Sequence, residues 1–222
     1  MISSINERIT QIRASLPPSV RLIAVTKQMP TEVIRAAYAA GIRDFGENRI
    51  QEAASKKAQL HDLPDITWHF IGHLQANKAK KALEQFQWIH SVDNLKLAQR
   101  LDQLAQQLGV NPQVCLQVKI LPDPNKSGWT VPELLTDLPA LNHCKTLQIQ
   151  GLMTIPPFGL NDAEIFYVFN TTYKLAKDIA EQNWDHIHMG QLSMGMSGDY
   201  QLAVQAGATM VRLGTILFGQ RT

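Results

Sequence analysis

The sequence predicts an α/β fold, a single (β/α)8 TIM barrel with an extra helix at its N-terminus. Short β-branched or aromatic runs alternate with helical patterns along the whole chain, the order that a parallel sheet with crossover helices requires. Eight such alternations can be counted, the number that closes a barrel. A doubly wound open sheet is the alternative, yet the chain has no Gly-rich GxGxxG turn after a strand.

The elements follow in order. Ile2, Ile5, Ile9, Ile12 and Leu16 fall alternately three and four apart, the apolar stripe of a first helix. Strand one, residues 21–25, runs into Thr26 and Lys27, and its helix, 31–40, starts after Pro30 and stops at Gly41. Residues 44–46 form a short second strand before helix 48–60, and 67–71 a third before helix 75–86. Strand four, 88–92, precedes helix 94–108, which Gly109 ends. Strands five to eight are placed at 114–120, 147–155, 186–190 and 210–218, with helices at 131–138, 163–182 and 199–206 between them. Neither a linker-like stretch nor an internal repeat divides the chain, so residues 1–222 read as one domain.

Composition narrows the function classes. At 45% hydrophobic and 18% charged the chain can bury an ordinary core. Its net charge of +2 offers no broad footprint for nucleic acid or an anionic membrane, so any anion must be held locally. No apolar run approaches the roughly 18 to 20 residues of a membrane span. Glu7 and the missing apolar centre argue against a targeting peptide at the N-terminus. Cys115 and Cys144 lack a CxxC companion, so neither a zinc site nor a disulfide framework is indicated, and a cytoplasmic location is expected.

Barrel active sites lie at the C-terminal ends of the strands. Lys27 ends the apolar run Leu22-Ile23-Ala24-Val25, where it suits the barrel mouth better than the core. An amine there can attack an aldehyde if burial or nearby cations keep it neutral, although a solvated lysine at a strand end is the plainer reading. The run from Leu192 to Asp199 is rich in small residues that let backbone approach a ligand, and Ser197 can cap the following helix. Arg212-Leu213-Gly214-Thr215 adds a guanidinium, a glycine and a hydroxyl on strand eight. Loops after the seventh and eighth strands often hold phosphate, which becomes the favoured ligand group. Arg212 and Gly214, two apart on a strand, should face the same side. The pairs His186/His188 and His69/His73 suggest metal ligands only weakly, since neither has an evident carboxylate or the helical setting of a zinc protease.

Taken together these motifs resemble the YggS/PROSC (PLPBP, PipY-like) family of pyridoxal-phosphate-binding proteins over nearly the whole chain. The matching segments are Ala24-Val25-Thr26-Lys27, Phe45 to Arg49 with Gln51-Glu52, Trp68 to Gln75 with Asn77-Lys78, Lys126-Ser127-Gly128, Gly151-Leu152-Met153, Leu192 to Ser197 with Asp199, and Val211 to Thr215 with Phe218-Gly219. The resemblance implies a barrel like the alanine racemase N-terminal domain and pyridoxal 5′-phosphate (PLP) as a Schiff base on Lys27. It further implies that Ser197, Gly214 and Thr215 hold the phosphate with backbone help from Met196. Arg212 would face the pyridine nitrogen, and Asn48, Met153 and Ser193 would line the pocket, with His73 a weaker candidate.

The family's implied role is control of intracellular PLP (vitamin B6) and amino/keto-acid homeostasis without classical turnover. Apo-PLP enzymes are the implied recipients, and a monomer is expected. A racemase or decarboxylase is the enzymatic alternative. Against it, the barrel consumes the chain, leaving no second β-rich domain of the racemase kind, and an arginine on the ring nitrogen makes a poorer electron sink than an aspartate.

Overall fold

The computed structural model describes residues 2–219. In chain order its elements are α1 (Ile2–Ser15), β1 (Arg21–Val25), α2 (Thr31–Ala39), β2 (Asp44–Glu47), α3 (Ile50–Gln59), β3 (Thr67–Phe70), a 3₁₀ turn at Ala76–Lys78 and α4 (Ala79–Gln85). There follow β4 (Trp88–Val92), α5 (Leu95–Leu108), β5 (Gln113–Lys119), β6 (Trp129–Thr130), α6 (Val131–Leu141), β7 (Gln148–Met153), α7 (Asp162–Ala180), β8 (Ile187–Ser193), α8 (Tyr200–Gln205), β9 (Met210–Leu213) and α9 (Thr215–Phe218).

Every strand pairing is parallel, and the order β4-β3-β2-β1-β9-β8-β7-β5 closes because β4 also pairs with β5. That is the (β/α)8 TIM barrel, with α1 as the additional helix. The helices begin and end where local chemistry dictates. Asn94 Oδ1 accepts the Leu97 amide at 2.9 Å to start α5, and Gly109 in a left-handed conformation stops it. Reciprocal caps pair Thr130 with Glu133 at α6 and Asn161 with Glu164 at α7. Ile5, Ile9, Ile12 and Leu16 are buried, as their spacing requires, while the side chain of Ile2 lies outside the described residues.

Alternation along the strands separates two cores. Leu22 and Ala24 face the helical shell, whereas Ile23 joins Trp88, Cys115, Met153 and Met210 inside the barrel. The remaining interior is polar: His69, His90 and Ser193 are fully buried and Arg212 is 5% exposed.

Three expectations need correction. The eighth strand does not run from 210 to 218. It stops at Leu213, and the apolar residues after Gly214 wind into α9, with the Leu217 and Phe218 amides donating to Gly214 O. Too few residues remained there for a helical period to show. The seventh strand is Ile187–Ser193 rather than 186–190, because extended backbone continues through Gly190. A ninth, two-residue strand, β6, adds to β5 outside the closed ring.

Closure brings β7 and β8 very close. The register shifts at Gly151 against both neighbouring strands, and a Cβ at this position would collide with the Gln191 backbone. Gly151→Ala is therefore expected to destabilise the protein by about 3 kcal/mol, read as a lower urea midpoint with unchanged slope.

Candidate functional site

At the C-terminal ends of the strands a cavity of about 300 Å³ is bordered by Val25, Lys27, Ile71, Ile155, Met196, Ser197, Gly198, Arg212, Gly214 and Thr215. Its volume is at the lower end of small-ligand pockets. Lys27, partly exposed, enters directly after β1. Its backbone is clamped from both sides by a buried ion cluster. Lys56, 6% exposed on α3, donates through Nζ to Thr26 O, Glu47 Oε1 and Glu52 Oε1, each at 2.7 Å. Thr26 Oγ1 donates to the same Glu47 oxygen at 2.6 Å, and the Gln28 amide donates to Glu52 Oε1 at 2.5 Å. Gln28 has φ of 62°, a left-handed conformation that costs a non-glycine residue energy and that the Glu52 contact holds in place. Burial pushes the Glu47 carboxyl above the usual carboxylate range, against the opposing pull of Lys56.

Across the cavity the Ser197 hydroxyl accepts the amides of Gly214 and Ile216, each at 3.3 Å. Ser197 therefore does not cap the helix that follows it. Asp199 stands at the N-cap position of α8 and accepts the Met196 amide at 2.6 Å, which turns Ser197 toward β9 instead. Thr215 is exposed beside it. Arg212 donates through Nη1 to Ser193 O at 2.7 Å and Ser193 Oγ at 2.6 Å, and through Nη2 to Thr154 O at 3.3 Å. Burial brings its guanidinium down to about 10, still a cation at neutral pH.

Six of the nine residues expected to bind the cofactor thus border one cavity: Lys27, Met196, Ser197, Arg212, Gly214 and Thr215. Arg212 and Gly214 both reach it, although Gly214 lies just past the strand rather than on it. Met153 and Ser193 do not border it. Met153, 1% exposed, lies in the barrel interior with Ile155 packed against its cluster, and Ser193 supports Arg212. Asn48, past β2, also stands outside the lining, with its Oδ1 buried and lacking a hydrogen-bond partner. His73 is largely exposed, with Nδ1 at 3.1 Å from Asp93 Oδ2 and 3.2 Å from Ser127 Oγ. Because both contacts share one ring nitrogen, the three side chains cannot relay a proton as a Ser-His-Asp triad does.

Sequence reasoning missed the walls Ile71 and Ile155 and the cation Lys56. The two isoleucines carry only the weak signal of following a strand, and Lys56 sits among charged helix residues like any solvated lysine. His186 precedes β8 and His188 lies near its start, exposed, and no group of three or more His, Cys, Asp or Glu side chains is placed to bind a metal among the described residues.

The donor set is one amine, two hydroxyls, backbone amides and one guanidinium, flanked by two aliphatic walls. That set fits a flat, phosphorylated aldehyde: the amine for the carbonyl, hydroxyls and amides for the phosphate, and isoleucines against a ring. The unpartnered Asn48 Oδ1 is an acceptor still to be satisfied.

The family model described as alanine racemase, N-terminal domain, matches residues 2–222. A pyridoxal phosphate homeostasis protein of Synechocystis is 56% identical over 212 residues, covering 96% of each chain, and the one of Escherichia coli K12 is 38% identical, covering 92% of this chain and 87% of its own. Among solved structures, PipY of Synechococcus elongatus with PLP bound superposes with a TM-score of 0.93 at 52% identity, covering 97% of this chain and all of that one. An alanine racemase of Clostridium difficile shares the fold at a TM-score of 0.79 and 15% identity, with this chain spanning 57% of it.

Two outcomes follow from the buried charges. Lys56→Met should destabilise the protein by about 3 to 5 kcal/mol by leaving Glu47 without its cation, measured by chemical denaturation. His69 and His90 are both held below the usual imidazole value of 6.5, mainly by burial. The unfolded chain therefore binds more protons than the folded one below that pH. Stability should be full above about 6.5 and fall on acidification, a slope that His90→Gln reduces in denaturation curves recorded across pH.

Proposed function

Because the chain belongs to the alanine racemase N-terminal domain family, and within it to the pyridoxal phosphate homeostasis proteins, we propose that it holds PLP through Lys27. Its role in this reading is intracellular PLP and amino/keto-acid homeostasis. The observation that carries the reading is the convergence of Lys27, Ser197, Gly214, Thr215 and Arg212 on one cavity at the barrel mouth. When bound, PLP supplies an aldehyde for imine formation with an amine and a pyridine ring that can accept electron density.

The protein's own residues divide the work. Thr26 and Gln28, tied to Glu47, Lys56 and Glu52, hold the Lys27 backbone still. Ser197, Gly214 and Thr215 would hold the phosphate, with backbone help from Met196. Arg212 would present a fixed cation to the ring nitrogen, which disfavours protonation there. Asn48 offers a polar contact from the opposite rim, and Met153 and Ser193 support the floor. Relatives that match nearly the full length of this chain carry a homeostasis name rather than a reaction, and we assign it no turnover.

Lys27 is partly exposed, so an incoming amine could approach an imine held there and exchange with the lysine by transimination. This gives a route for delivery to apo-PLP enzymes. A monomer in the cytoplasm is the state we propose; no helix among the described residues is long and apolar enough to cross a membrane.

Borohydride treatment of the PLP-loaded protein should abolish its visible imine band and leave a pyridoxyl mass on the Lys27 peptide. Lys27→Ala should retain weaker, non-covalent cofactor without that mass, and a normal imine band in this variant would overturn the assignment. Delivery is read as transfer to an apo-enzyme faster than free dissociation allows, and no acceleration at any protein ratio would refute it.

A further inference from the structure

A file of hydrogen bonds crosses the barrel interior from the pocket to the opposite mouth. Arg212 Nη1 lies 2.6 Å from Ser193 Oγ, Ser193 Oγ 2.7 Å from His90 Nδ1, His90 Nε2 2.9 Å from His69 Nδ1, and His69 Nε2 2.9 Å from Asp44 Oδ1. Both imidazoles are fully buried. Asp44 is 22% exposed and borders a second cavity, of about 440 Å³, at the N-terminal ends of the strands.

The two ends of the file determine where its protons sit. A guanidinium can only donate, so Ser193 Oγ accepts from Arg212 and sends its own proton to His90 Nδ1. Neutral His90 then carries its hydrogen on Nε2 and donates to His69 Nδ1. His69 in turn carries its hydrogen on Nε2 and donates to the Asp44 carboxylate. Every hydrogen points from the cation toward the anion. A second proton on His69 would set two N–H groups against each other at 2.9 Å, and one on His90 would cost Ser193 its acceptor.

The surroundings keep the file in that state. Burial pushes both imidazoles below the ordinary histidine range, with Arg21 opposing a second proton on each and Arg212 doing so at His90. From β5 the Cys115 thiol, pushed up to about 12 by burial, adds no charge. Asp199 acts on Arg212 from farther away, and among the described residues no carboxylate lies within ion-pair distance of that guanidinium.

We infer that Asp44, His69 and His90 are positioning residues, which fix Ser193 and Arg212 in one orientation and transmit the Asp44 charge to the guanidinium. The far end of the barrel thereby tunes the electrostatic environment of the cofactor ring. This rests on the PLP reading for its effect on the cofactor, but not for the file itself.

Nitrogen-15 spectra of the cofactor-free protein test the file alone. Both rings are expected as neutral Nε2–H tautomers above about pH 6.5, and Asp44→Asn should move the His90 resonances although the two residues do not touch. An imidazolium or an Nδ1–H tautomer at either ring, or unmoved His90 resonances, would overturn the assignment. In PLP-loaded protein, Asp44→Asn removes a negative charge, so the pH midpoint of the imine band should fall by about half a unit. Asp44→Glu should restore it, and His69→Gln should lower it as Asp44→Asn does. An unchanged midpoint in both Asp44→Asn and His69→Gln would overturn the tuning role. Failure of the unmodified protein to form an imine would instead count against the PLP reading, with the nitrogen-15 result still deciding the file.

Discussion

The pairing of β4 with β5 is the constraint on which the rest depends, because it turns an eight-stranded sheet into a ring. A closed parallel ring puts all strand C-termini on one rim, so residues as distant in sequence as Lys27, Ser197 and Gly214 become neighbours. Closure also creates an interior that must be filled. This chain fills one part with Ile23, Trp88, Cys115, Met153 and Met210, and another with polar groups that satisfy one another. Register shifts occur in the closing pair, between Ile89 and Val92, and on both sides of Gly151.

Two buried cations organise the mouth in different ways. Lys56 is compact, is surrounded by acceptors at 2.7 Å, and immobilises the backbone on either side of Lys27. Arg212 is planar and spreads its contacts over Ser193 and Thr154, keeping one position while still bordering the cavity. A point charge anchors the chain, and a fork orients the pocket. Exchanging the two residue types would serve neither purpose.

Much of this was legible in the sequence because it is local. The alternation of strand and helix, the Gly109 stop and the Lys27, Ser197 and Arg212 positions are read within a few residues. What escaped reading depends on distant partners. Nothing around Lys56 distinguishes it from the exposed lysines of α4, because its three acceptors come from two other parts of the fold and its own helix. Ser197 offers a plausible cap for the next helix, and only the approach of β9 shows that its hydroxyl serves Gly214 and Ile216. The end of strand eight was missed because Ile216-Leu217-Phe218 is equally apolar as strand or as one turn of helix.

The left-handed Gln28, locked by Glu52, has a kinetic meaning. In the proposed reading, with backbone fixed on both sides of Lys27, the motion that would accompany imine formation and cleavage is confined to one side chain, whose rotamer entropy is about 2 kcal/mol. Exchange at such a site would be governed by encounter with incoming amines rather than by the opening of a loop. On that reading the site would act as a reservoir with an unobstructed tap, its outflow set by demand in the surrounding solution.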